Sequence, residues 1–330
     1  MRTVLLPVLL LLAACANDKP ASEVDPLRAA LQVPYFRNPL DSRLVKSWRH
    51  LDLVFEQVDF QGRYKQRIPA LICYSEIART HPLPVIVCMP GSSNRKEDLL
   101  RPLDLIPRWA EKGFFVISID RPYGGDRSGD LGEAVRQKGL LKVWGEYVYD
   151  LMCALDYLQT RREADGQYIG MLGLSMGGWE ALLLAALDQR VDVVVSVAGQ
   201  LHWKEVFRER AWQAIFQGLD LRQELVERQA TSQEAWQAFR RTYPDIDQVD
   251  AALLVKRIAP RPILLITGSE DTFITPATTQ KTHEAAAAVY RKMGMGGRLD
   301  MWIAPDTGHS FPTSMQERAL AWFERWLRDV

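Results

Sequence analysis

Ser175 stands between two glycines in Gly173-Leu174-Ser175-Met176-Gly177, directly after the apolar run Tyr168-Ile169-Gly170-Met171-Leu172. A serine so placed at a strand end can occupy the apex of a sharp turn and aim its hydroxyl out of a sheet. The glycines matter because a side chain at either position would collide with the neighbouring strand or helix. The residues that follow, Gly178-Trp179-Glu180-Ala181-Leu182-Leu183-Leu184-Ala185-Ala186-Leu187, are mostly good helix formers. Strand, tight turn and helix in that order predict a nucleophile elbow rather than a serine cap on an ordinary helix.

A serine hydroxyl is a weak nucleophile at neutral pH. It needs a base within hydrogen-bond reach and a third group that holds the tautomer of that base. Of the five histidines, His283 falls in the alanine-rich helical stretch 278–292 and reads as a helix-surface residue, and His202 precedes the acidic loops. His309 lies in Asp306-Thr307-Gly308-His309-Ser310-Phe311-Pro312, a loop by composition between the strand-like Leu299-Asp300-Met301-Trp302-Ile303 and a final helix. It is the candidate base. For the third group, Glu270 and Asp271 follow the apolar run Pro262-Ile263-Leu264-Leu265-Ile266-Thr267-Gly268, which reads as a buried parallel strand. Ligands gather beyond that edge of such sheets. Asp306 is a more distant competitor.

Charge that develops on a substrate oxygen needs donors in place. The backbone N–H of Met176, next to the nucleophile, is one candidate. The apolar run Pro84-Val85-Ile86-Val87-Cys88-Met89 ends in Pro90-Gly91-Ser92-Ser93, where Gly91 lets the backbone approach closely and the N–H of Ser92 is the expected second donor. Each preorganised donor of this kind is worth roughly 3–4 kcal/mol of transition-state stabilisation.

The elements that must position these groups can be traced along the chain. Strand-like runs at 51–60 and 67–74 come first. Runs at 84–89, 114–120, 168–174, 191–197, 262–267 and 299–303 then alternate with helical patterns. This alternation predicts an α/β fold, a mostly parallel sheet with helices on both faces. Two stretches interrupt it. One is the glycine-rich loop Tyr123-Gly124-Gly125-Asp126-Arg127-Ser128-Gly129 at the ligand edge. The other, residues 202–252, is helical and aromatic, with Trp203, Phe207, Trp212, Phe216, Trp236, Phe239 and Tyr243. Trp212, Ile215, Phe216 and Leu219 share one helical face by spacing. Most of this segment is expected to pack against the body, and an aromatic face over the elbow would line an acyl or alcohol pocket.

Over about residues 50–330 the chain resembles the α/β-hydrolase superfamily, and within it the dienelactone hydrolase-like, acetyl xylan esterase-like and prolyl-oligopeptidase-like groups. The resemblance rests on Ala154-Leu155-Asp156-Tyr157-Leu158, the stretch 169–178, Ala186-Leu187-Asp188-Gln189-Arg190-Val191, Ile258-Ala259-Pro260-Arg261-Pro262 and Gly308-His309-Ser310-Phe311-Pro312. It implies the chain order serine, acid, histidine, and places a triad on Ser175, Asp271 and His309. It also implies a lid-like insertion at 202–252, ahead of the acid-bearing strand. One departure is Pro90-Gly91, where many members have His-Gly. The implied activity is carboxylic-ester hydrolysis on a small-molecule ester through an acyl-enzyme, with no cofactor. Its rivals are a peptidase of the prolyl-oligopeptidase-like type, whose free-standing members usually carry a propeller that 330 residues leave no room for, and a catalytically silent envelope-binding lipoprotein.

Composition sets further bounds. The chain has 330 residues, 47% of them hydrophobic, enough for one sizeable core. Lys and Arg number 41, as do Asp and Glu, and no basic stripe stands out, so nucleic acid is not an expected partner. No metal-ligand spacing is visible, and the Gly124-Gly125 region lacks the lysine of a phosphate-binding loop.

At the N-terminus, Arg2 precedes the apolar run 4–12, too short to span a membrane and laid out as a secretory signal. Leu12-Ala13-Ala14-Cys15 resembles a bacterial lipobox. That implies a signal peptide over 1–14, lipidation of Cys15, a tether over 15–30 and a hydrolase domain over 31–330. Ala16 and Asn17 include no acidic retention signal, which points to the periplasmic face of the outer membrane. Cys73, Cys88 and Cys153 remain, an odd number that reads as small core residues, with a single disulfide left open.

Overall fold

The computed structural model describes residues 25–92, 94–127, 129–216 and 218–328. Within them one sheet is built from β1 (Arg43–His50), β2 (Leu53–Gln61), β3 (Arg67–Ser75), β4 (Leu83–Met89), β5 (Phe115–Ile119), β6 (Ala164–Leu174), β7 (Val193–Val197), β8 (Ile263–Gly268) and β9 (Leu299–Ala304). Their order is β1-β2-β3-β5-β4-β6-β7-β8-β9. Pairings from β5 through β9 are parallel, and the β1–β2, β2–β3 and β3–β5 pairings are antiparallel. The expected α/β architecture is present.

Strands β5, β7 and β8 are buried along their whole length. Helices cover both of their faces, which is why their sequences are continuous apolar runs rather than alternations. One face carries the helices Leu140–Leu158, Met176–Leu187 and Ala251–Ile258, and the other carries Leu105–Glu111 and Thr313–Leu327. β1 was not foreseen. It is an edge strand exposed along nearly all of Arg43–His50, so neither face imposes a hydrophobic period. Among the described residues no helix is long and apolar enough to cross a membrane.

Two boundaries differ from expectation. Pro26–Ala30, assigned to the tether, form a helix capped by the Asp25 side chain, with Leu27 fully buried. The packed body therefore includes residues 26–30, because that helix finds apolar surface to cover. The aromatic segment does not carry Trp212, Ile215, Phe216 and Leu219 on one helical face, because the helix Trp212–Ile215 ends before Phe216. It breaks into Trp203–Arg208, Trp212–Ile215, Asp220–Glu227 and Ser232–Thr242. Phe207, Trp212, Phe216 and Phe239 pack against one another, Phe207 stacked on Trp212 and Phe216 tilted against Phe239 with ring centroids 4.6 Å apart, and Trp203 stacks on Trp144 of the body. Most of the aromatic content is thus internal packing. Cys73, Cys88 and Cys153 are buried free thiols, and burial pushes all three pKa values up. Residues 1–24, including Cys15, lie outside the described residues.

Candidate active site

Ser175 follows β6 directly and precedes the helix Met176–Leu187. Its backbone has φ 56° and ψ −118°, a region that residues with a side chain rarely adopt. The strain is held by close packing around the turn. A Cβ on Gly173 would lie 1.9 Å from the Gly177 carbonyl oxygen, and one on Gly177 would lie 2.4 Å from that of Met89. Both glycines are therefore required for the reason expected. The Ser175 N–H donates to the Val197 carbonyl at 2.7 Å, which fixes the turn against β7.

Two further loops at the same sheet edge meet this turn. His309 Nε2 lies 2.9 Å from Ser175 Oγ, and His309 Nδ1 lies 2.8 Å from Asp271 Oδ2. Asp271 is fully buried at its side chain, and its other oxygen accepts from the backbone N–H groups of Phe273 (2.8 Å) and Ile274 (2.9 Å). With Nδ1–H donated to the carboxylate, the Nε2 lone pair faces the serine hydroxyl, which donates to it. The loops that carry Asp271 and His309 are drawn together by backbone bonds: Ser269 N–H donates to the Ala304 carbonyl (2.8 Å) and Glu270 N–H to that of Thr307 (2.9 Å). A Cβ on Gly268 would lie 2.0 Å from the Thr307 carbonyl oxygen, so this close approach needs glycine.

The competing groups lie elsewhere. Glu270 and Asp306 are exposed. His202 Nδ1 faces Asp250 Oδ2 at 3.2 Å, and burial lowers the pKa of His283 on the helix Pro276–Lys292. Phe273 packs on the His309 ring at 4.9 Å between centroids and shields it from one side.

Met176 is the first residue of its helix, so its N–H has no partner within the helix. The loop after β4 lies against Ser175. A Cβ on Gly91 would stand 3.8 Å from Ser175 Cβ, and Ser92 follows in the same turn. Parallel pairing of Met89 with Gly173 brings the two loops side by side.

Arg121, just after β5, was missed in the sequence. Its guanidinium donates to the carbonyls of Gly91 and Pro90, each at 2.7 Å, and to Glu180 Oε1 at 2.9 Å and Oε2 at 3.1 Å. Glu180 is fully buried in the helix that starts at Met176. Burial opposes the charge on Arg121, but Glu180 more than offsets it and holds the guanidinium pKa above its ordinary value. The pair ties the loop after β4 to the elbow helix. The only sequence signal was a glutamate, Glu180, in an otherwise apolar helical run.

Beyond that loop, Lys96 Nζ sits among Glu97 (2.7 Å), Asp120 (2.7 Å) and Asp126 (2.6 Å), almost wholly buried. Three carboxylates thus surround an ammonium and anchor the far end of the loop.

A sheet of this order, with an elbow serine joined through histidine to a carboxylate at its carboxyl edge, defines the α/β-hydrolase fold. Residues 104–330 match the prolyl oligopeptidase family, and the chain belongs to that family of hydrolytic enzymes. It is 27% identical over 219 residues to YtaP of Bacillus subtilis (strain 168), a hydrolase by name alone, a match covering 65% of this chain and 66% of that protein. It is 28% identical over 180 residues to the carbohydrate esterase MZ0003 of an unknown prokaryotic organism, covering 53% of this chain and 39% of the relative. The matches thus span less than two thirds of either relative. An acetyl xylan esterase from Paenibacillus sp. R4 superposes with a TM-score of 0.64 at 21% identity, over 91% of this chain and 92% of that one, a likeness of fold.

Proposed function

We propose that the protein is a serine hydrolase of carboxylic esters. The observation that supports this most directly is the continuous relay from Ser175 Oγ through His309 to Asp271, with bonds of 2.9 and 2.8 Å. Ser175 Oγ attacks the ester carbonyl carbon while its proton passes to His309 Nε2. The Asp271 carboxylate stabilises the imidazolium through Nδ1–H and keeps the ring in place. The N–H groups of Met176 and Ser92 receive the oxyanion. Collapse of the tetrahedral adduct expels the alcohol oxygen, which takes the proton from His309 and leaves an acyl-serine. Water then attacks the acyl carbon and gives a proton to the same nitrogen, which returns it to Ser175 Oγ as the acyl–oxygen bond breaks and the acid leaves.

The test is covalent labelling with a fluorophosphonate. Labelling of the wild type and its loss in Ser175→Ala are expected; retained labelling in that variant refutes Ser175 as the nucleophile. A second reading, cleavage of peptide bonds by the same residues, is favoured by the family match. Comparing p-nitrophenyl esters with aminoacyl-anilides separates the two. We further propose, from the sequence at residues 1–15, that the mature chain is lipid-anchored through Cys15 at the periplasmic face of the outer membrane. Metabolic labelling with a lipid precursor, lost in Cys15→Ala, tests it.

A further inference from the structure

Beside the elbow lies a cavity of about 470 Å³. Its walls include Met176 from the elbow, Trp144 and Tyr147 from the helix Leu140–Leu158, Val135, and Phe216 and Leu219 from the aromatic insertion. The lining is predominantly apolar. Arg136, on the polar side, is already paired with Glu133 at 2.9 Å and Asp220 at 3.5 Å. Its volume is that of a small-molecule site. At roughly 30 Å³ per small atom or water, it has room for on the order of fifteen non-hydrogen atoms.

The position of this cavity relative to the relay decides which part of an ester it takes, given the serine-esterase reading above. The leaving oxygen must collect a proton from His309 Nε2, so the alcohol lies on the histidine side of Ser175. The oxyanion points to the backbone donors at Met176 and Ser92. The remaining substituent of the carbonyl carbon is the acyl group, and it turns away from His309. Among the described residues, none from the Asp271 or His309 loops lines the cavity, whereas the side chain next to the nucleophile does. We infer that this cavity is the acyl pocket, and that the enzyme takes esters of bulky apolar acids, alkyl or aryl, of about six carbons or more. A two-carbon acyl group would leave most of it unfilled.

The experiment compares kcat/KM for p-nitrophenyl acetate, hexanoate and benzoate, using the purified protein. Each methylene buried is worth about a fourfold gain, so hexanoate should exceed acetate at least tenfold. Leu219→Trp and Leu131→Trp, two lining positions on separate segments, fill the cavity. Each should lower the hexanoate-to-acetate ratio at least tenfold, while a short-chain fluorophosphonate still labels Ser175 and reports an intact elbow. Should acetate be the better substrate, with the ratio unmoved in both labelled variants, the acyl pocket is refuted and the esterase stands. If the wild type neither labels nor turns over any ester, the functional reading itself fails and the pocket assignment falls with it.

Discussion

Arg121 offers a prediction that separates folding from function. In Arg121→Met, the Glu180 carboxylate stays fully buried without its cation, and the carbonyls of Pro90 and Gly91 lose their donor. Breaking one side of a buried ion pair costs about 3–5 kcal/mol, so the urea midpoint should fall markedly. The double variant Arg121→Met/Glu180→Met removes the stranded charge and substitutes apolar volume, which should recover about 3 kcal/mol. It does not restore the two bonds that hold the loop after β4. A displaced oxyanion donor costs about 10²-fold. The double variant should therefore be nearly as stable as wild type yet remain about 10²-fold slower, with the loss in kcat rather than KM. Tryptophan fluorescence in urea and steady-state ester hydrolysis read the two quantities. A double variant with wild-type kcat would refute the claim that Arg121 positions the loop; it would leave the pair as packing alone.

Other outcomes follow from the same geometry. Ser175→Gly relieves a positive-φ conformation and should stabilise the fold by about 1 kcal/mol while abolishing turnover, as chemical denaturation and an ester assay will show. Asp271→Asn preserves an acceptor for the N–H groups of Phe273 and Ile274 but faces His309 Nδ1 with a second donor. It should cut kcat by about 10⁴-fold with little change in thermal midpoint.

For pH, the hydrogen bond from Lys96 holds the Asp126 carboxyl below the usual carboxylate range. Its contribution to stability is complete above the unfolded value of about 3.9 and is lost as pH falls through the lower folded value. Asp126→Asn should therefore lose less stability than wild type between pH 5 and pH 2.5 in urea titrations.

Much of this arrangement could be read in the chain itself. Strands buried on both faces announce themselves as apolar runs, and that made β5, β7 and β8 visible. The same physics hid β1, whose two faces meet water and carry no period. A strained turn demands glycines at fixed spacing, so the stretch 173–177 marked Ser175 before any coordinates. His309 stood out as the downstream histidine in a loop after a strand. Asp271 was separable from Glu270 and Asp306 only through family likeness, because burial of one carboxylate among three is a property of loop packing.

What the residues determined locally was where strands end and which turns must contain glycine, since backbone sterics and burial act on neighbours in sequence. What only the folded chain decided was convergence. The backbone bonds between the loops at 269–270 and 304–307 draw acid and base together. Arg121 grips carbonyls 30 and 31 positions away. The insertion walls a cavity against Met176. These contacts join segments far apart along the chain, so no local pattern of residue types encodes them.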